Sequence, residues 1–248
     1  GSFSYTWNEQ EDLLNALILG LKDYFSKNGF SKACLGLSGG IDSALVAYIA
    51  MHALGKDNVL AVMLPSKFSS KESFEDASFL IKNLQIKDLN IAIKEPYESF
   101  LSLLSPVFSS QTFDVTEENI QARIRSLILM ALSNKEGHIL LATSNKSELA
   151  IGYSTLYGDA SGALAVIGDL LKSKVFSLCH YINEKEGAEI IPRSILTKPP
   201  SAELRPNQKD TDSLPEYSVL DLILQEYIEH YLSIDEIAHK HGLSRELV

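Results

Sequence analysis

One stretch constrains this chain more tightly than any other: Cys34-Leu35-Gly36-Leu37-Ser38-Gly39-Gly40-Ile41-Asp42-Ser43. A short apolar run passes into two glycines flanked by hydroxyls, an aspartate follows, and an apolar-periodic segment from Ala44 to Leu54 predicts a helix. The order is strand, phosphate loop, helix start. Glycines let the backbone turn tightly and approach an anion, while the unpaired N–H groups of a helix N-terminus point at it. Ser38 and Ser43 add hydroxyls, and Asp42 supplies a hard oxygen for a Mg²⁺ that accompanies phosphates. The loop lacks the lysine of a Walker A motif and does not fit G-x-G-x-x-G. The plainer alternative is an ordinary strand-to-helix turn in which Asp42 and Ser43 only cap the helix.

The surrounding pattern is that of alternating helices and strands. Thr6 and Glu9 form a T-x-x-E capping box before a helical stripe from Leu13 to Phe25, closed by Gly29. Val59 to Leu64 reads as a buried strand, which implies a right-handed parallel crossover. Ser66 to Ser70 is either a lid or a plain connection, and a helix over 71–84 and a strand over 89–93 follow. Residues 95–113 carry no assignable role. Thr116 opens a helix whose stripe is Ile120, Ile124, Leu127, Ile128 and Ala131. At about 100° per residue, Asn119 and Arg123 share one flank of that stripe and Arg125 points away.

A second buried strand, His138 to Ala142, ends in Thr143-Ser144-Asn145-Lys146-Ser147-Glu148, at the kind of position where parallel sheets collect ligands. Glu148, at the start of a short helix, is either a partner of the helix dipole or a second metal carboxylate. The helix over 172–186 opens with Lys172 and Lys174, against the preference of the dipole; either an external anion lies there or the helix starts a turn away. A proline-rich loop over 192–215 precedes a helix over 219–231. Residues 233–248 have the pattern of a helix-turn-helix, which keeps a DNA-binding module among the alternatives.

Composition narrows the function classes. Twenty-two basic against 32 acidic residues give a net charge of −10, which argues against nucleic-acid and anionic-membrane surfaces, so any anion must be held by local groups. No apolar run approaches the roughly 20 residues of a membrane span. Cys34 and Cys179 fit no C-x-x-C pattern, and a reducing cytoplasm is expected. Gly1-Ser2 reads as a cloning scar, leaving residues 3–248 as a single domain.

Several blocks together carry a resemblance. Ser38 to Ser43 resembles the pyrophosphate loop of the N-type ATP pyrophosphatases. Thr116-Glu117-Glu118-Asn119-Ile120-Gln121-Ala122-Arg123-Ile124-Arg125, Asn145-Lys146-Ser147-Glu148, Tyr153-Ser154-Thr155-Leu156-Tyr157-Gly158-Asp159 and Lys198-Pro199-Pro200-Ser201-Ala202-Glu203-Leu204-Arg205-Pro206 are similar to the synthetase domain of the NAD synthetase family, in its glutamine-dependent form. The fold this implies is α/β, an open parallel sheet flanked by helices, like the adenine-nucleotide alpha-hydrolases in a Rossmann-like three-layer sandwich. The implied reaction is amidation of deamido-NAD: its carboxylate attacks the α-phosphate of ATP, pyrophosphate leaves, and ammonia displaces AMP.

The resemblance also implies roles. Gly36, Leu37, Ser38, Gly39, Gly40, Ile41, Asp42 and Ser43 would hold ATP phosphates, with Thr143, Lys172 and Ser201 as further ATP contacts. Asp42 and Glu148 would ligate Mg²⁺; Arg123, Asn119 and Asp159 would face deamido-NAD; Asp42, Lys172 and Asp159 would serve catalysis. A homodimer is expected. Leu156 stands where ammonia-dependent members usually carry a lysine, and the family's basic C-terminal segment is not found before Val248. A glutaminase domain in a longer native chain, or free ammonia, would supply nitrogen. Another pyrophosphatase of the group, such as a GMP-synthetase-like ligase, is the enzymatic alternative.

Overall fold

A computed structural model describes residues 7–108 and 112–248. In chain order the elements are α1 (Glu9–Asn28), β1 (Ala33–Gly36), α2 (Ile41–Leu54), β2 (Val59–Met63), α3 (Lys71–Leu84), β3 (Lys87–Asn90), α4 (Lys94–Leu104), α5 (Val115–Glu136), β4 (Ile139–Ala142), α6 (Lys146–Ile151), β5 (Leu164–Ala165), α7 (Lys172–Glu186), α8 (Arg193–Thr197), α9 (Tyr217–Leu224) and α10 (Ile234–His241). The strands form one sheet in the order β3-β2-β1-β4-β5, with every pairing parallel. The order turns back between β1 and β4, which is where open sheets of this kind bind ligands.

Strand period two divides the core between two faces. Ala33, Leu35, Val59, Ala61 and Met63 pack with α1, α2, α3 and α7, whereas Cys34, Leu60, Val62 and Leu64 pack with α4 and α5. The result is the expected three-layer arrangement. α2 is not amphipathic, contrary to its periodic reading: Ser43 to Ala50 are all buried, because the sheet, α1 and α7 enclose it. Its phosphate-loop end is therefore anchored by the most buried helix of the domain.

Other expectations shift for identifiable reasons. The cap of α1 is Asn8, whose side chain accepts the Glu11 N–H at 3.1 Å; Thr6 lies outside the described residues. β3 spans Lys87–Asn90 instead of 89–93, since its register is fixed by pairing Lys87 to Leu60 and Asn90 to Met63. Residues 94–104, unassigned from the pattern, form α4. In α5, Leu127 is 64% exposed, while Gln121, Ala122 and Ser126 are buried. The buried face of that helix is polar in part, which misaligns a stripe drawn from apolar residues alone.

The C-terminal helix-turn-helix is not formed. α10 ends at Gly242, which caps it at φ 65°, and turn follows in place of a second helix. The helix expected over 219–231 starts at Tyr217 and passes into a π-helical turn at Gln225–Glu229. From that turn the buried Glu226 accepts Lys240 Nζ at 2.7 Å and meets His241 Nε2 at 3.0 Å, so two of the basic groups of this segment are committed internally.

Candidate active site

The glycine-rich loop between β1 and α2 is braced by its own hydroxyls. Ser38 Oγ accepts the Gly40 N–H at 3.1 Å, and Ser43 Oγ accepts the Ser38 N–H at 3.3 Å while donating to the Gly40 carbonyl at 3.1 Å. Gly39 sits at φ 77°, and a Cβ there would lie 2.2 Å from the Ser73 carbonyl oxygen of α3. Only glycine fits. Gly40 offers no side chain to cap α2, so the first N–H groups of that helix have no side-chain partner from it at the cavity edge.

Across the switch point from this loop, β4 delivers Thr143, Ser144 and Asn145. Asn145 is fully buried and works in two directions: its Oδ1 accepts the Glu148 N–H at 3.0 Å to cap α6, and its Nδ2 donates to Asp42 Oδ1 at 2.8 Å. The two loops are thereby linked. Lys172, 2% exposed at the first position of α7, donates from Nζ to Asp42 Oδ2 at 2.6 Å and to Glu148 Oε1 at 3.1 Å. Its Nζ also lies 5.1 Å from the centre of the Tyr217 ring.

Charge in this cluster is unbalanced, with two carboxylates for one ammonium. Burial and the Asp42 carboxylate push Glu148 up to about 7, and Lys172 only partly opposes them. Burial draws the Lys172 ammonium down, but Asp42 and Glu148 outweigh it and hold its pKa above the ordinary lysine value. Lys172 is therefore a permanent cation. The helix start expected at residue 172 is where α7 begins, so this lysine does stand against the dipole.

These groups line a cavity of about 300 Å³ together with Thr143, Asp159 and Ser201. Gly39, Asn119 and Arg123 are not among its lining residues. Asn119 Oδ1 accepts the Thr155 hydroxyl at 2.8 Å, and Arg123 Nε donates to the Leu156 carbonyl at 3.1 Å, so both brace the loop that carries Asp159. Asp159 opens to the cavity, accepts the Thr155 N–H at 2.6 Å, and has its pKa raised by desolvation against those backbone donors. Ser201 belongs to a segment fastened to the start of α3, where Glu203 accepts the hydroxyls of Ser70 and Ser73 at 2.8 and 2.7 Å.

Arg125 is a correction. It faces the cavity, with Nε donating to the Leu64 carbonyl at 3.0 Å and desolvation lowering its pKa to about 10. The wheel turns it away from the flank of Asn119 and Arg123 because the stripe is drawn from apolar residues. Asp210 was also missed. It is 4% exposed, lines the cavity and accepts the hydroxyls of Tyr217 and Tyr153 at 2.8 and 3.3 Å. No local pattern distinguished it within a proline-rich loop.

The NAD synthase family model matches residues 13–248. The chain belongs to the NAD synthase family. Among its relatives, the glutamine-dependent NAD(+) synthetase of Thermotoga maritima is 54% identical over 239 residues, covering 96% of this chain and 41% of the relative. That of Synechocystis is 53% identical over 240 residues, covering 97% and 42%. The chain thus spans less than half the length of these curated relatives. Among solved structures, the glutamine-dependent NAD+ synthetase of Acinetobacter baumannii, in complex with ADP, is 39% identical with a TM-score of 0.78, over 100% of this chain and 44% of that one. The NMN synthetase of Francisella tularensis is 29% identical with a TM-score of 0.80, over 95% and 94%. The family shares the Rossmann-like α/β fold described above.

Proposed function

We propose that this chain amidates deamido-NAD to NAD with ATP and ammonia, the last step of NAD biosynthesis, through an acyl-adenylate whose formation releases pyrophosphate and whose attack by ammonia releases AMP. The observation that carries the reading is the convergence of Lys172, Asp42 and Glu148 beside a phosphate loop, in a chain of this family. A departing pyrophosphate needs charge neutralisation and in-line positioning more than a covalent catalyst. The loop from Gly36 to Ser43, with Thr143 and Ser201, would hold ATP. Lys172 would turn from its carboxylates to the phosphates, supplying the charge that a Walker lysine supplies elsewhere. Arg125, which already faces the cavity, is added to the residues that meet an anionic substrate.

Asp42 and Glu148 would hold Mg²⁺. The donor set suits it: two hard carboxylate oxygens already converge on one cation. Mg²⁺ commonly takes one or two carboxylates and completes its shell from phosphates and water. When bound, the ion would supply further neutralisation of the leaving pyrophosphate. Asp159, braced by Asn119 and Arg123, would bear on the dinucleotide side of the cavity.

Glutamine, through a glutaminase, is proposed as the nitrogen source on the names of the relatives; free ammonia serves the same chemistry. A homodimer is proposed too, supported by the exposed Leu127 and Met130 on α5. A cytoplasmic setting agrees with the free, buried Cys34 and Cys179. Among the described residues no helix is long and apolar enough to cross a membrane. The kinship with an NMN synthetase favours one second reading, in which the acid substrate is nicotinate mononucleotide.

Incubation with ATP, Mg²⁺, ammonium and either acid tests both. NAD and AMP in equal amounts from deamido-NAD are expected. Amidation of the mononucleotide alone would move the assignment to the second reading, and ATP cleavage with neither acid would refute both.

A further inference from the structure

α7 presents a puzzle of energetics. It begins with a buried lysine, has no acidic residue in its first turn, and its N-cap, Leu171, has no side chain able to cap. Two unsatisfied N–H groups and a cation at the positive end of a dipole would be costly in a buried setting. The compensation comes from elsewhere in the chain. Ser147 Oγ accepts the Lys172 N–H at 2.9 Å and donates to Asp221 Oδ1 at 2.5 Å, and Asp221 Oδ2 accepts the Ser173 N–H at 2.7 Å. Asp221, on α9, is 4% exposed and Ser147, on α6, is fully buried. One carboxylate from a distant helix therefore caps α7, half directly and half through a hydroxyl.

The geometry points to Asp221 as a positioning residue for the reaction, acting through Ser147 on Lys172 and Glu148; this rests on the amidation reading above. Ser147 lies between Asn145, which grips Asp42, and Glu148. A shift of its hydroxyl is passed to Glu148 and Lys172, which hang on the two turns of backbone that it joins, and to Asp42 through the Asn145 side chain. Among the described residues no lysine, arginine or histidine forms an ion pair with Asp221, and the donors that meet its carboxylate are the Ser147 hydroxyl and the Ser173 N–H at the α7 N-terminus. An isosteric amide in its place would keep the shape, remove that charge and set an N–H₂ against a donor.

The test compares D221N, S147A and the double variant in the full-length protein, far below each melting temperature, reading kcat with ammonium, the ATP dissociation constant by calorimetry, and Tm. A loss of about 10- to 100-fold in kcat is expected for D221N, the scale seen when partners behind a ligand shell are removed, with weaker ATP binding. In the S147A background the same change should cost less than about 3-fold, since both act on one relay. Should D221N fail to fold, S147A, which leaves Asp221 on the Ser173 N–H, must still lose kcat and ATP affinity. A purely structural cap would lower Tm and leave kcat and ATP affinity within about 2-fold, and that result overturns the inference. Effects that multiply in the double variant overturn it as well. An inactive wild type would refute the amidation reading and this inference with it; an active wild type with unchanged variants would refute the inference alone.

Discussion

Two clusters of carboxylates and basic groups in this molecule end in opposite states. At the sheet's switch point two carboxylates, Asp42 and Glu148, share the one buried ammonium of Lys172 and open onto a cavity. At the C-terminus one carboxylate, Glu226, gathers Lys240, His241 and His230 and is sealed beneath α10. The second cluster is saturated. The first has surplus negative charge, a carboxyl group pushed up to about 7 by burial and by its neighbour, and room beside it for further cations and anions. A buried carboxylate is common to both, so burial does not by itself mark a functional site; an unmet charge on an open cavity makes the first cluster the candidate.

Substitutions should separate the two clusters. The largest effect is expected for Lys172→Ala or Asp42→Asn, which should cut turnover by roughly 10²-fold or more, as loss of a preorganised charge does; steady-state kinetics on folded protein would show it. Near-wild-type turnover in both would remove the cluster from the reaction. Next comes a contrast within α5. Arg125→Ala should raise the KM of an anionic substrate roughly ten-fold, the worth of a hydrogen bond to a charged group, while Arg123→Ala, which loses a loop brace, should change it far less.

Glu226→Gln should leave kcat unchanged and lower Tm by a few degrees. Its pH dependence has a definite sign. Hydrogen bonds from Lys240 and His230 hold Glu226 down to about 2, from an ordinary value of 4.5. The stabilisation is therefore complete above pH 4.5 and is lost as the pH falls toward 2. Thermal melts of wild type and the glutamine variant should converge through that window; parallel curves would contradict the assignment.

Much of this was legible in the residues. The glycine-rich turn from β1 into α2 and the helix over Lys71–Leu84 follow from local signals, glycines, a serine cap and apolar spacing, and α7 begins at Lys172 as expected although it has no side-chain cap of its own. Arg125 was lost because a helical wheel locates the core from apolar residues, and the face of α5 that meets the cavity is partly polar: Gln121 and Ser126 are buried there. Asp210 and Asp221 carry no signature: Asp210 joins Tyr217, 7 residues away, to Tyr153, 57 residues away, and Asp221 meets Ser147 and Ser173, 74 and 48 residues away. Charge balance over such separations is set by packing, which local pattern does not reach.

Amidation at this site requires a carboxylate oxygen to become an oxygen of AMP. Deamido-NAD labelled with ¹⁸O in its nicotinate carboxylate, turned over with ATP and ammonium, should yield AMP carrying one labelled oxygen and pyrophosphate carrying none. Label in pyrophosphate or phosphate, or unlabelled AMP beside newly formed NAD, would contradict an acyl-adenylate formed at the Lys172 cluster.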